Sequence, residues 1–513
     1  MRMAPLVNPV CNTVASIEHS YAALFRLVVP QVIVLVTALV VLAVDLVVMR
    51  AKSLQARFAV GAAIASLGCA GAIFRLIAAP VQGMYLFDGV LITGPTVQLI
   101  QMVLLGLTIL VVLLSIESKF TAHVGEFLAL VLLATTSMMF LVSTMNILMI
   151  FVSLEMLSLS LYILAAFDKG KARSSEAALK YFLFGGTSAA FLLFGFSLLY
   201  GLAHSTSLRE IAGTFGPSLD PLLVVAIVMV VLGFGFKVAA VPFHFWAPDV
   251  YEGAPAPSAS LIASISKVAS FIVFNNVLWF GFFGLVGLGA WEHYLPDWVP
   301  VVALVSALSM VLGNLGAIMQ TSVRRLLAYS AIAHSGYVLV SLLSPGHFAA
   351  MFYYIVTYAL TLIGAFGVVA IVEAETGGDR FSNFVGLSRR APFLSFCMLI
   401  FMLSLAGIPP LAGFFGKFYI FASALNASFS LLWLVVLAIA MSAVSLYYYL
   451  KVLKQIYVVK APSEDEPVIK TPVVSQVVIG LIALGVVLLG CAPNIFLAWL
   501  QRAASGDWIT ICR

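Results

Sequence analysis

Residues 233–257 read GFGFKVAAVPFHFWAPDVYEGAPAP. Lys237 stands inside an apolar run, and Pro242 and Pro248 follow before a Pro/Gly-rich exit. Proline removes an amide donor and clashes with the preceding turn, so carbonyls are left free in mid-run. Such backbone survives in a bilayer only when it is buried in protein or lines a wet cavity. Residues 405–421, LAGIPPLAGFFGKFYIF, repeat the plan: Gly407, Pro409, Pro410, Gly413 and Gly416 precede Lys417. Two helices broken beside a lysine decide the reading of the chain.

The surrounding sequence is membrane-like. Hydrophobic residues make up 63% of the 513 residues and charged residues 9%, which excludes a soluble domain of this length. A spanning helix needs about 20 predominantly apolar residues. Fourteen such runs are expected, at 27–49, 58–79, 96–115, 126–144, 146–167, 179–203, 221–246, 256–282, 299–319, 325–343, 348–374, 392–425, 430–457 and 472–499. Short connections join them into a single membrane domain, residues 1–513. The odd-numbered loops hold Arg50, Lys52, Arg57, Lys119, Lys169, Lys171, Arg173, Arg324, Arg325, Arg380, Arg389, Arg390, Lys451, Lys454, Lys460 and Lys470, whereas the even-numbered loops hold only Arg209. Basic loops stay in the cytoplasm, so both termini are expected on the periplasmic side. The net charge of +5 reports this asymmetry and not nucleic-acid binding.

The broken spans are five apart. Paired discontinuous helices are a transporter plan built from inverted repeats. Spans 4–8 (126–282) and 9–13 (299–457) are expected to form two inverted five-helix repeats in an all-α polytopic fold.

A charge at the bilayer centre costs at least ~2.5–3.5 kcal/mol, so Glu155, Lys237, Lys267 and Lys417 are candidate proton-transfer residues. Glu155 shares a helix face with Ser158 and Tyr162. Pairing with Lys237 would keep both charged, and separation would release or capture a proton. As a structural bridge alone, such a buried pair adds little stability. Lys267 shares a face with Ser260, Ser264 and Ser270, either a polar file or small-residue helix packing. His334, with Ser330 and Tyr337 on its side, suits a relay near neutral pH; the plainer reading is a satisfied interior histidine. His244 beside Pro242 serves the helix break or proton transfer. Asp249 and Glu252 are expected at the outer end of their span, as caps or interfacial groups. Asp45, Glu373, Lys180 and Arg75 lie near span ends, where long side chains reach water. Ser463, Glu464, Asp465 and Glu466 read as a solvated loop.

Other chemistry is not indicated. There is no G-x-G-x-x-G, P-loop or metal-ligand spacing. The cysteines, at 11, 69, 397, 491 and 512, form no C-x-x-C pair and no usual iron–sulfur or zinc spacing. Cys11 and Cys512 fall on one expected side, where a disulfide could form. The N-terminus lacks a cleavable signal pattern, so the first apolar run reads as a retained helix.

The stretches KVAAVPFHFWAPDVYEGAPAPSASLIASISKVASF, VRRLLAYSAIAHSGY and LSLAGIPPLAGFFGKFYIF resemble subunit N of proton-pumping NADH–quinone oxidoreductase, respiratory complex I, the family of mitochondrial subunit 2. The resemblance covers about residues 27–495. Two sister subunits tend to continue the PFH element as W-L-P-D-A-H, where this chain has Trp246, Ala247, Pro248, Asp249, Val250 and Tyr251. Lys417, where one sister has glutamate, points the same way. The resemblance implies an antiporter-like membrane-arm subunit related to Mrp-type sodium/proton antiporters. Glu155 and Lys237 match its helix-five and helix-seven pair, Lys267 its connecting lysine and Lys417 the lysine of its broken helix. No cofactor is expected on this chain: NADH, flavin, iron–sulfur clusters and quinone would be bound by other subunits. The expected partners are the sister antiporter-like subunits, the lipid bilayer and protons as substrate, with no nucleic acid. The expected location is a bacterial inner membrane, and the expected activity is that of a translocase subunit. An Mrp-type antiporter uses the same parts without a redox partner. A scaffold whose charges only dock helices is the remaining alternative.

Overall fold

The computed structural model describes residues 21–505, apart from 81–82, 118–119, 216–219, 283–297, 345–347, 428, 460–468 and 470. The Cys11–Cys512 pair and the acidic run from Ser463 to Glu466 lie outside the described residues. In order come α1 (Tyr21–Val47), α2 (Leu54–Ala78), α3 (Pro95–Leu114), α4 (Val124–Leu141), α5 (Ile147–Ala165) and α6 (Ala172–Ala203). Then follow α7 (Pro221–Lys237), α8 (Trp246–Gly253), α9 (Ala256–Ala263), α10 (Ile265–Asn276), α11 (Val299–Ile318) and α12 (Val323–Leu342). The chain continues through α13 (Phe348–Thr376), α14 (Pro392–Ala406), α15 (Ala412–Ala427), α16 (Leu432–Tyr457), α17 (Val473–Cys491) and α18 (Pro493–Ser505). Short helices also span Leu208–Thr214 and Leu387–Arg390. A small antiparallel hairpin, Met84–Leu86 with Leu91–Thr93, accompanies the helices of this all-α fold.

Eleven helical segments among the described residues are long and apolar enough to cross a membrane. The helices begin where the local chemistry allows. Asn146 caps α5 by accepting from Leu148 and Met149 amides; Asp220 does the same for α7 and Ser322 for α12. Each supplies an oxygen to an amide that has no partner inside its helix. Pro221 and Pro392 open α7 and α14, at a position where a missing amide hydrogen costs nothing.

Two expectations need correction. The run 472–499 is not one helix: it ends at Cys491 and restarts at Pro493, because proline cannot continue the amide ladder. The span from 256 to 282 is interrupted without a proline. Ser264, at φ −115° and ψ −76°, separates α9 from α10, and its hydroxyl turns back to the Ser260 carbonyl at 2.5 Å. Such back-bonding bends helices. A π-helical turn, Val277–Gly281, follows α10.

The centre is set by burial. In the apolar window of Ala256–Gly281 every residue is buried, and in that of Phe348–Thr376 89% are. A helix hydrophobic all round belongs inside, so α9, α10 and α13 form the heart of the bundle. On α1, α6 and α17, Leu39, Phe182 and Leu481 are exposed, as on a surface that meets lipid or another protein.

Candidate functional site

The first break lies between Lys237, the last residue of α7, and Trp246, the first of α8. Ala239 takes φ +57° there, and the Val241–Pro242 peptide is cis. The backbone groups freed by the break are claimed by neighbours. The Trp246 indole donates to the Phe236 carbonyl at 3.1 Å and the Ser335 hydroxyl to the Val238 carbonyl at 2.5 Å. The Val241 amide donates to the Ser309 hydroxyl at 2.9 Å. Buried non-helical backbone is tolerated on these terms.

The second break uses its lysine as the partner. α14 ends at Ala406 and Gly407 takes φ +86°, the left-handed geometry that glycine supplies at helix ends. Lys417, on α15, donates to the Leu405 and Ala406 carbonyls at 3.0 and 3.1 Å and to the Ser442 hydroxyl at 2.8 Å. An ammonium on a helix C-terminus meets the negative end of the helix dipole. Gly407 lies under this side chain: a Cβ there would sit 3.1 Å from Lys417 Cδ.

The other lysines are also held by oxygens that carry no charge. Lys267, 2% exposed, donates to the Ala331 carbonyl at 2.8 Å and to Ser335 Oγ at 2.9 Å. Since Ser335 also reaches the Val238 carbonyl, one hydroxyl joins Lys267 to the break beside Lys237. Lys237 donates to Ser158, with the Tyr162 ring centroid 6.0 Å away. The expected contact with Glu155 is not made: among the described residues Lys237 forms no ion pair within 4.0 Å. Ser158, one turn further along the same face of α5, takes its place. Glu155 itself is only half-buried, beside the exposed Val152, Met156 and Leu159.

His334 sits in a cage of tyrosines. Its Nδ1 lies 2.6 Å from the Tyr354 hydroxyl and its Nε2 3.0 Å from that of Tyr449; Ser330 bonds Tyr449 in turn. The imidazole stacks on Tyr358 and meets Tyr337 edge-on. A narrow cavity between Lys267 and His334 has room for about one water molecule. Past the cage, the Lys417 ammonium lies 5.1 Å from the Tyr337 ring centroid. Lys237, Lys267, His334 and Lys417 thus share one buried, hydroxyl-lined layer across the bundle. The serines expected beside Lys267 do not form a file, since Ser264 and Ser270 bond carbonyls of their own helix. His244 is buried against Phe245, and its Nδ1 has no hydrogen-bond partner among the described residues.

A second group of charges lies at the end of the bundle that carries the basic loops. Asp249 bonds Lys180 at 2.7 Å and Arg325 at 2.8 Å, while Glu252 bonds Arg325 at 2.8 Å and lies 3.7 Å from Arg173. This corrects the outer placement of Asp249 and Glu252. Their span enters from an even loop, so its far end lies with the odd ones. Lys180, expected near a span end, is about two turns inside α6, because that helix starts at Ala172. A cleft of about 580 Å³ opens here, lined by Glu117, Asp168, Lys171, Glu252, Arg324 and Glu373.

Arg324 is the residue that sequence reading undervalued. Counted only as a basic loop residue, it is 3% exposed and binds the Tyr251 and Ala254 carbonyls together with Glu373. The guanidinium caps α8, whose last carbonyls have no helical partner. Arg324→Ala is expected to destabilise the subunit by about 3 kcal/mol, the scale for removing one member of a buried pair. Arg324→Lys should restore little, since a single ammonium cannot reproduce the planar fork. Thermal dissociation followed on native gels checks this; wild-type behaviour of the alanine variant would show that the fork does not hold α8.

Residues 143–442 match the family described as NADH:quinone oxidoreductase/Mrp antiporter, TM. A relative from Acidobacterium capsulatum, NADH-quinone oxidoreductase subunit N 2, is 52% identical over 496 residues, covering 94% of this chain and 99% of the relative. A chain in the structure of respiratory complex I from Thermus thermophilus with bound aureothin superposes with TM-score 0.73 at 32% identity, covering 91% of this chain and 98% of that one. One in the Mrp complex from Dietzia sp. gives TM-score 0.78 at 19% identity, with 93% and 96% covered, a likeness of fold. With identity this high over almost its whole length, and with the lysine-bearing breaks in place, the chain belongs to the NADH-quinone oxidoreductase subunit N family.

Proposed function

We propose that this chain is an antiporter-like membrane-arm subunit of a bacterial NADH–quinone oxidoreductase, and that it moves protons while other subunits pass electrons from NADH to quinone. One observation carries the proposal: Lys237, Lys267 and Lys417 are buried in one layer, each held by hydroxyl or carbonyl oxygens with no carboxylate in ion-pair contact among the described residues. A buried ammonium without a counter-charge is costly, and it escapes that cost by giving up its proton. Each site can therefore be loaded and emptied, which a structural salt bridge cannot do.

In this reading fourteen crossings form two inverted repeats, 126–282 and 299–457, with both termini periplasmic. Protons enter from the cytoplasmic cleft beside Arg324 and Glu373 toward Lys237 and Lys267. They pass His334 to Lys417 and leave on the other side. Glu155 tunes Lys237 through the intervening Ser158 rather than by direct pairing. NADH, flavin, iron–sulfur clusters and quinone belong to other subunits, and the sister antiporter-like subunits are the neighbours in the membrane.

Lys237→Ala in native membranes tests this. After a native gel has shown that the large complex assembles, NADH-driven quinone reduction and proton pumping are expected to fall together, by about tenfold or more. Loss of the complex would favour a scaffold role. Wild-type activities, or membranes in which no NADH-oxidising complex contains the chain, would overturn the proposal in favour of a free-standing antiporter.

A further inference from the structure

Four buried groups form an unbroken chain of hydrogen bonds around His334. The Tyr354 hydroxyl meets Nδ1 at 2.6 Å, Nε2 meets the Tyr449 hydroxyl at 3.0 Å, and Tyr449 meets Ser330. Tyr354 is 1% exposed and His334 2%. With the imidazole neutral, the chain has four hydrogens for its three bonds: one from each phenol, one from the ring and one from the serine. One hydrogen is left over at an end, and the end that keeps it fixes the direction of every bond.

If the surplus fell on Tyr354, a buried phenol hydrogen would point at nothing, since no other hydrogen bond ends on that hydroxyl among the described residues. A buried donor left in that state carries its full desolvation cost. A serine on a helix has another acceptor in the carbonyl one turn back, as Ser264 and Ser270 show. The surplus therefore belongs on Ser330. Tyr354 then donates to Nδ1, Nε2–H donates to Tyr449, and Tyr449 donates to Ser330. The Tyr354 ring is also fixed from its other side. A Cβ on Gly416 would lie 2.4 Å from Tyr354 Cδ2, so the ring rests on bare backbone of α15, one residue before Lys417.

We propose that Tyr354 is a positioning residue that sets the tautomer of His334, keeping the ring proton on Nε2 and the lone pair of Nδ1 under its own hydroxyl. This rests on the proposed passage of protons at His334. A phenol suits the task because it donates to the neutral ring and accepts from the charged one. Loading Nδ1 requires the Tyr354 O–H to turn away, and emptying it lets the O–H return. The plainer reading is a packing tyrosine that meets the nearest nitrogen. Phenylalanine would fill the same space, however, and would bury no polar group.

The test uses the assembled complex in native membranes. Tyr354→Phe keeps the ring and removes only the hydroxyl. It is expected to assemble and to lower quinone reduction and proton pumping about three- to tenfold, the rate equivalent of one hydrogen bond. Tyr353→Phe is the control. It removes the neighbouring phenol, which donates to the Leu489 carbonyl at 2.8 Å, and turnover should stay near wild type. Infrared difference spectra of the purified complex against His334→Gln identify the bands of this imidazole. Tyr354→Phe should shift them and Tyr353→Phe should not. His334→Gln should itself lose about tenfold or more. Adding Tyr354→Phe to it should cost nothing further, since the hydroxyl acts only through the ring. Wild-type rates for Tyr354→Phe beside a depressed His334→Gln would overturn the positioning role and leave His334 in the route. Equal losses from Tyr354→Phe in both backgrounds, failure of that variant to assemble, or unshifted imidazole bands would overturn it in favour of packing. Wild-type rates for His334→Gln would remove the passage at His334, and the role of Tyr354 with it.

Discussion

Lys417→Ala is expected to assemble into the complex but to lose at least about tenfold in both NADH-driven quinone reduction and proton pumping, the low end of what a positioned acid–base group contributes. The effect should match that of Lys237→Ala, because the proposed route passes through this ammonium. The alanine variant alone is ambiguous, since Lys417 also satisfies the Leu405 and Ala406 carbonyls at the end of α14. Lys417→Arg separates the two roles. A guanidinium can still donate to those carbonyls, but it does not release its proton in a protein. Arginine should therefore restore assembly and thermal stability to any variant that needs the cap, while leaving turnover and pumping as low as in alanine. If arginine restored pumping, the lysine would be a cap for a broken helix and nothing more.

The second large effect is on folding. A Cβ on Gly413 would lie 1.8 Å from the Ser404 carbonyl oxygen. One on Gly490 would lie 2.1 Å from the Pro410 carbonyl oxygen and 2.6 Å from the Ala412 amide. These neighbours are backbone atoms of the break that carries Lys417, and backbone cannot swing aside as a side chain can. Overpacking alone costs about 1–3 kcal/mol, and here relief would require the break itself to move. Gly413→Ala and Gly490→Ala are both expected to abolish or sharply reduce assembled complex on native gels. Gly71 and Gly106, where a new Cβ meets nothing within 4 Å, are the controls; alanine there should be neutral, or stabilise by about 0.5–1 kcal/mol. Normal assembly of both break variants would mean that the 407–411 turn yields more easily than its packing implies.

The sequence by itself determined the membrane class, the approximate positions of most helices and the two lysine-bearing breaks, and it named Glu155, Lys237, Lys267, His334 and Lys417 as candidates. Each rests on a local fact: a proline cannot donate, a charge in an apolar run needs a reason, and twenty apolar residues span a bilayer. Only the tertiary structure decided who touches whom. It put Ser158 rather than Glu155 against Lys237, turned Ser264 and Ser270 back onto their own helix, and drew Asp249 and Glu252 to the basic face. It also gave Arg324 to α8 and surrounded His334 with Tyr354, Tyr358 and Tyr449. The physical reason is range. Breaks and spans follow from interactions within a turn or two of chain. The Ala331 carbonyl that meets Lys267 is 64 residues away and the Tyr449 hydroxyl that meets His334 is 115 away, and periodicity along one helix says which face is polar without saying which oxygen will meet it.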